Sequence, residues 1–224
     1  LVNHNIYFLK INDLVSATEV EKMLTVISKE KLATIMKLKF QKDKKLKLYS
    51  EVIIRYLASQ DLQVSNSCLH FNTTEFGKPY LKDYPEWQFN LSHTKNAILV
   101  GVSSHPIGVD IEFIDKKSQD FINIAKRFFL DSEFNYIIKC PHRQVERFFE
   151  VWTKKEAYLK YTSLGLTQSL SSFDVLSEEV DQKLSCWQKD EYMMSVCSES
   201  KFTLENMVEL SEFELMKMAS ALQA

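Results

Sequence analysis

The chain has 224 residues, of which 45% are apolar and 26% charged, and a formal net charge of −2. That length gives one large domain or two compact halves with a sizeable core. The charge argues against a protein that coats nucleic acid or anionic membrane, and four glycines and four prolines leave little for long flexible linkers.

The first thirteen residues hold no basic segment followed by an apolar one, so no signal peptide is expected. No apolar run reaches the length of a membrane span. Residues 6–11 alternate and read as a strand. A helix is predicted over 16–26, capped by Ser16 with Glu19 three residues later; a second opens at Ser28 with Lys31 in its first turn. A longer helix is predicted over 43–60, where Leu46, Tyr49, Ile53, Tyr56 and Leu57 recur at helical spacing. Lysines gather between Lys29 and Lys47. Loops follow at 65–67, 72–79 and 83–85.

From Trp87 the period changes to two, which predicts strands over 87–92, 97–103 and 107–113 with turns at 94–96 and 105–106. Helices are predicted over 121–129, 132–139 and 145–161. The tail from Phe173 alternates strand-like segments, 192–197 among them, with a loop or helix near its end. The four cysteines, Cys68, Cys140, Cys186 and Cys197, form neither a C-x-x-C pair nor a zinc spacing with histidine, and read as free thiols in a reducing cytosol. A weak echo joins the halves: a serine-helix start near Glu30 precedes Glu51, and Glu133 precedes Glu156 at a similar separation. Two similar α/β halves around a cleft would produce it, and so would chance.

Four segments carry polar chemistry. In Ile107-Gly-Val-Asp-Ile-Glu-Phe113, strand geometry puts Asp110 and Glu112 side by side on one face. They are either solvated acids on a half-exposed strand or a pair relieved by a shared hard cation such as Mg²⁺. On the helix over 145–161, Phe148, Trp152, Glu156 and Leu159 share one stripe. A carboxylate among apolar neighbours needs a partner: either Lys160 at i+4, or a cation held together with Asp110 and Glu112. Ser92-His93 ends a strand and reads as a hydrogen-bonded histidine or as a phosphate contact; with no third acid it is a poor hydrolase triad. Phe76-Gly-Lys-Pro79 reads as a turn.

Taken in order, F-G-K-P at 76–79, N-L-S-H at 90–93, I-G-V-D-I-E at 107–112, A-K-R-F-F at 125–129 with Glu133 after it, and W-T-K-K-E at 152–156 with Lys160 form a specific series. It resembles the signature of the surfactin-type (Sfp-like) 4'-phosphopantetheinyl transferases, over residues from about 28 to 173. The resemblance implies an α+β fold of two similar α/β halves related by pseudo-twofold symmetry, with the active site in the cleft between them. Residues 1–105 form the nucleotide side, and 106–224 carry the metal ligands and catalytic lysines. It implies that Asp110, Glu112 and Glu156 hold Mg²⁺ on the coenzyme A pyrophosphate and that Lys155 and Lys160 meet the phosphates, Lys155 and Glu156 being the catalytic pair. Ser92 and His93 match the pair near the 3'-phosphate, with Lys31 as companion; Gly77, Lys78 and Pro79 match the adenine-side turn.

The implied reaction moves phosphopantetheine from coenzyme A to a serine of an apo acyl or peptidyl carrier protein and releases 3',5'-ADP, with Glu156 or a water taking the serine proton. The implied protein is a cytoplasmic monomer of secondary-metabolite assembly such as nonribosomal peptide synthesis, binding neither nucleic acid nor membrane. Its carrier is expected to dock near residues 115–138, where Phe121, Ile124 and Phe128 recur. The competing readings are a Mg²⁺-dependent nucleotide phosphohydrolase and a non-catalytic coenzyme A-binding protein. Two positions depart from the family pattern. Leu46 stands where an arginine is usual, flanked by Lys45 and Lys47, either of which could take over its phosphate contact, and Ser163 replaces the first glycine of G-x-G-L.

Overall fold

A computed structural model describes residues 4–116, 120–163 and 168–223. The chain begins with β1 (Asn5–Lys10), α1 (Ala17–Thr25), α2 (Lys29–Met36) and α3 (Gln41–Leu62), then a small hairpin of β2 (Phe71–Thr73) and β3 (Pro79–Leu81). Next come β4 (Gln88–Thr94), β5 (Ala97–Ser103) and β6 (Ile107–Phe113), followed by α4 (Phe121–Phe128), α5 (Asp131–Ile138) and α6 (Gln144–Thr162). The last part is α7 (Glu178–Asp181), β7 (Leu184–Lys189), β8 (Tyr192–Ser198), β9 (Met207–Leu210) and α8 (Glu212–Ala221). This is a mixed α+β protein, and among the described residues no helix is long and apolar enough to cross a membrane.

The predicted caps form. The Ser16 hydroxyl accepts from the Glu19 amide at 3.3 Å and the Ser28 hydroxyl from the Lys31 amide at 3.2 Å, each satisfying one of the free amides of a first helical turn. The segment expected to be a loop over 72–79 is flanked by the β2–β3 hairpin. Gly77, at φ +81°, closes its turn, with the Thr74 amide donating to Lys78 O at 2.8 Å.

Two sheets carry the molecule, in the orders β4-β5-β1-β9 and β6-β8-β7. The period-two pattern sorts their side chains. Tyr7, Leu9, Ile98 and Val100 face α3, whereas Ile6, Phe8 and Leu99 face the second sheet, where they meet Val109, Ile111, Met194 and Val196. The outer face of the second sheet packs on α6 through Cys197 and Leu184 against Ala157 and Val151. The layers therefore run helix, sheet, sheet, helix. The three strands predicted in succession do not form one sheet: β4 and β5 pair antiparallel, while β6 crosses to pair with β8. The tail also crosses back, since β9 pairs parallel with β1 and α8 packs on α3 and α1. Residues 207–221 thus complete the first sheet's layer, although they lie beyond the expected division after residue 105.

Gly108 sets the distance between β6 and α6. A Cβ built there would lie 2.0 Å from the Ala157 carbonyl and 2.4 Å from the Tyr161 amide, both backbone atoms that cannot rotate away. Gly108→Ala is expected to cost about 1–3 kcal/mol, the usual penalty of overpacking, read by chemical denaturation. It should also lower activity more than that loss explains, because Glu156 and Lys160 ride on the displaced helix. A variant of wild-type stability would show that α6 has slack at this contact.

Candidate functional site

A cleft of about 440 Å³ opens between the layers, lined by Lys31, Lys47 and Glu51 on one wall, by Gly77, Lys78 and Pro79 at one end, and by Glu156 and Lys160 on α6. Both halves of the chain contribute to it. The 22-residue α3 and 19-residue α6 each lay a glutamate, Glu51 and Glu156, along it. The two differ in partners. Glu51 is buried between Lys31 at 3.0 Å and Arg55 at 2.8 Å. Glu156 makes no ion pair or hydrogen bond among the described residues, and burial together with Asp110 pushes its carboxyl above the ordinary range.

Beside Glu156, the free edge of β6 is covered by β4. Asn90, Ser92 and Thr94, every second residue of β4, all reach across to it. Asn90 Oδ1 accepts from the Val109 amide at 2.9 Å, Ser92 Oγ donates to Asp110 Oδ1 at 2.8 Å, and Thr94 Oγ1 donates to Glu112 Oε2 at 3.1 Å. Lys160 Nζ lies 2.7 Å from Asp110 Oδ1, 3.1 Å from Ser92 Oγ and 3.1 Å from Val109 O. The i,i+4 pair of Lys160 with Glu156 is therefore not formed; Lys160 reaches across to Asp110 instead.

Asp110 is buried and its second oxygen, Oδ2, has no hydrogen-bond partner. Burial, with Asp110 next and Glu156 adding to it, pushes the Glu112 carboxyl up to about 7 against the opposing pull of Thr94 and Lys160. Among the described residues no three His, Cys, Asp or Glu side chains close around a point as a metal cage does. Like-charged carboxylates without a counter-ion stand apart, and a hard cation bound mainly through phosphates needs only one or two of them at close range.

The structure places the other expected site residues as follows. Lys31, Lys47 and Pro79 line the cleft. His93 is half-buried at the end of β4, and burial, followed by the nearby Lys47, holds its imidazole below the ordinary value. Lys78 lines the cleft with its stem, but its ammonium turns inward to Lys160 O at 2.7 Å and Ile107 O at 3.1 Å, and burial lowers it to about 8. It ties the hairpin turn to β6 and α6.

Two expectations are corrected. Lys155 does not reach the cleft. It is fully buried, with its ammonium on Glu133 Oε1 at 2.8 Å, Leu170 O at 2.6 Å and Phe173 O at 2.8 Å, so all three of its protons are taken. Neighbouring residues on a helix differ by about 100° in direction, so α6 cannot turn both Lys155 and Glu156 toward β6. Ser92 and His93 are likewise split, because consecutive strand residues face opposite ways. The Ser92 proton is committed to Asp110 and cannot be donated to a phosphate at the same time. Gly165 and Leu166 lie outside the described residues.

Thr94 and Glu51 were missed as contributors. The polar alternation at 90, 92 and 94 could have signalled the first, and the echo of Glu156 the second.

Comparison with known proteins identifies the family. A profile of the 4'-phosphopantetheinyl transferase superfamily matches residues 106–209, and a 4'-phosphopantetheinyl transferase N-terminal profile matches residues 15–105. A 4'-phosphopantetheinyl transferase of Bacillus subtilis is 34% identical over 161 residues, covering 71% of this chain and 70% of that protein. The 4'-phosphopantetheinyl transferase Sfp of Bacillus subtilis (strain 168) is 33% identical over 171 residues, 76% of this chain and 75% of the relative. The 4'-phosphopantetheinyl transferase psf-1 of Bacillus pumilus is 35% identical over 163 residues, with 72% and 69% covered. With identities above 30% over more than two thirds of both chains, the chain belongs to the 4'-phosphopantetheinyl transferase superfamily.

Proposed function

We propose that the protein transfers the 4'-phosphopantetheine arm of coenzyme A to a serine of an apo acyl or peptidyl carrier protein, releasing 3',5'-ADP. The observation that carries this reading is a cleft in which Glu156, with no ion pair or hydrogen bond among the described residues, faces Lys31 and Lys47, with the buried Asp110 on Lys160 and with Glu112 beside it. Lysines on one side and a cluster of three carboxyls served by a single lysine, Lys160, on the other suit a nucleotide pyrophosphate bridged by a metal ion.

The donor set fits Mg²⁺: all oxygen, with one orphaned carboxylate oxygen on Asp110 and two neighbouring carboxyls held above their usual range. Asp110, Glu112 and Glu156 would hold it. When bound, Mg²⁺ neutralises charge on the pyrophosphate and eases departure of the bisphosphate. The chain's own residues do the rest. Lys31 and Lys47 attract the phosphates, and Lys160, fixed beside Asp110, presents positive charge where charge grows on the leaving group. The carrier serine oxygen forms the new bond to the β-phosphorus as the bond to the bridging oxygen breaks, and Glu156 or a water takes the serine proton.

Exposed Phe128 and Ile138 on α4 and α5 support carrier docking on that face, whereas Phe121 and Ile124 are turned partly into the core. One long helix on each sheet supports the reading of two similar halves.

Mass spectrometry of an apo carrier incubated with this protein, coenzyme A and Mg²⁺ tests the reaction. A gain of one phosphopantetheine that chelator abolishes is expected. Release of 3',5'-ADP without a carrier and with no mass gain would favour a hydrolase instead.

His93→Ala should raise KM for coenzyme A about tenfold, the worth of one hydrogen bond to a charged group, and raise it far less for an analogue lacking the 3'-phosphate. Equal losses on both would remove His93 from the 3'-phosphate.

A further inference from the structure

We propose that Thr94 is a positioning residue of the metal centre, holding Glu112 so that only one of its oxygens is offered to the cation. The inference rests on the proposed metal site and deepens it.

Two hydroxyls two residues apart on β4 meet two carboxylates two residues apart on β6, in register. Ser92 donates to Oδ1 of Asp110 at 2.8 Å; Thr94 donates to Oε2 of Glu112 at 3.1 Å. In each case one carboxylate oxygen is occupied. On Asp110 the other, Oδ2, is buried and has no hydrogen-bond partner.

Thr94 is more tightly fixed than a surface hydroxyl. Its Oγ1 also accepts from the Phe113 amide at 3.4 Å, so the backbone of β6 holds the group that holds the β6 carboxylate. That amide belongs to the unpaired edge of β6, because β6 is the outer strand of its sheet and pairs only with β8. An exposed edge must be satisfied somewhere, and here the side chains that cover it also aim the acids. A flexible glutamate with three side-chain torsions would otherwise lose rotamer freedom on binding a cation; one already held by a hydrogen bond loses less. Among the described residues the Thr94 hydroxyl hydrogen-bonds Glu112 and the Phe113 amide alone, so its effect on the cleft passes through Glu112.

The test uses the full chain with coenzyme A and Mn²⁺ as the probe, with free Mn²⁺ counted by its paramagnetic resonance signal. Thr94→Val keeps the shape and removes the hydroxyl; Thr94→Ser keeps the hydroxyl. The valine variant is expected to bind Mn²⁺ about tenfold more weakly, the low end of the effect of losing a group that orients a metal ligand. The serine variant should bind within about twofold of wild type, which a purely structural role for the threonine methyl would not allow. Melting in chelator provides the folding control. Wild-type Mn²⁺ affinity in Thr94→Val, or equal weakening in both variants, would overturn the proposal. Absence of any Mn²⁺ binding by the wild-type complex would instead remove the metal site itself, and this inference with it.

Discussion

Glu156→Gln is expected to lower turnover by roughly a hundredfold or more, the scale of losing one preorganised electrostatic group, while the protein stays folded. The substitution removes a charge and almost no volume. Glu156 has no hydrogen bond or ion pair to lose among the described residues, and Lys160 is already committed to Asp110, so the structural cost is small. Its carboxyl is held above the ordinary range, first by burial and then by Asp110. A group whose pKa rises on folding stabilises the fold below its unfolded pKa, and that contribution is lost as pH rises through the folded value. In chelator, at pH above its folded value, the carboxylate of Glu156 therefore opposes folding, and the glutamine variant should melt at or above the wild-type temperature there. Melting temperature and transfer rate on one preparation test both arms. A folded variant with near-normal turnover would take Glu156 out of the metal site and weaken the role given to Asp110 and Glu112.

Lys155→Met should produce the opposite pattern. The Lys155–Glu133 pair is sealed from solvent on both sides. Glu133 is also a hub: its Oε1 accepts from the Val175 amide at 3.0 Å and its Oε2 from the Leu130 amide at 3.0 Å, which joins the start of α5 to the strand-bearing tail. Removing the ammonium leaves a buried carboxylate without its counter-charge, and breaking such a pair costs about 3–5 kcal/mol. For a chain of this size that is a fall in melting temperature of roughly 6–20 °C. Adding Glu133→Gln should restore much of the loss, because both charges are then gone. The double variant should retain transfer activity when assayed cold. A Lys155→Met protein that melts like wild type yet has lost turnover would return Lys155 to the catalytic role its place in the motif first suggested.

These two neighbouring residues show where sequence reading stops. The series from F-G-K-P to W-T-K-K-E identified the family, and periodicity placed most of the helices and long strands within a residue or two. α3, for example, was expected over 43–60 and spans Gln41–Leu62. Those features are local: a cap needs only its own first turn, and a strand's alternation only its own neighbours. Lys155 and Glu156 are equally prominent in the motif, and their difference in direction is fixed by which face of α6 meets β6, a contact set by the absence of a side chain at Gly108. Ser92 and His93 are separated for a similar reason, since the strand sends them to opposite sides.

By itself, the sequence determined the chemical inventory: three carboxylates, a set of lysines, and an order of segments specific enough to name a superfamily. It also determined most of the secondary structure, because helical and strand periods and capping residues act over a few positions. Only the tertiary structure decided that β6 leaves its sequence neighbours for a second sheet, and that β9 and α8 return to the first. It alone decided that Lys160 reaches Asp110 while Lys155 is sealed on Glu133, and that hydroxyls of β4 hold the acids of β6. Each of these is a contact between segments far apart in the chain, chosen by which apolar faces could be buried together, and no local pattern records that choice.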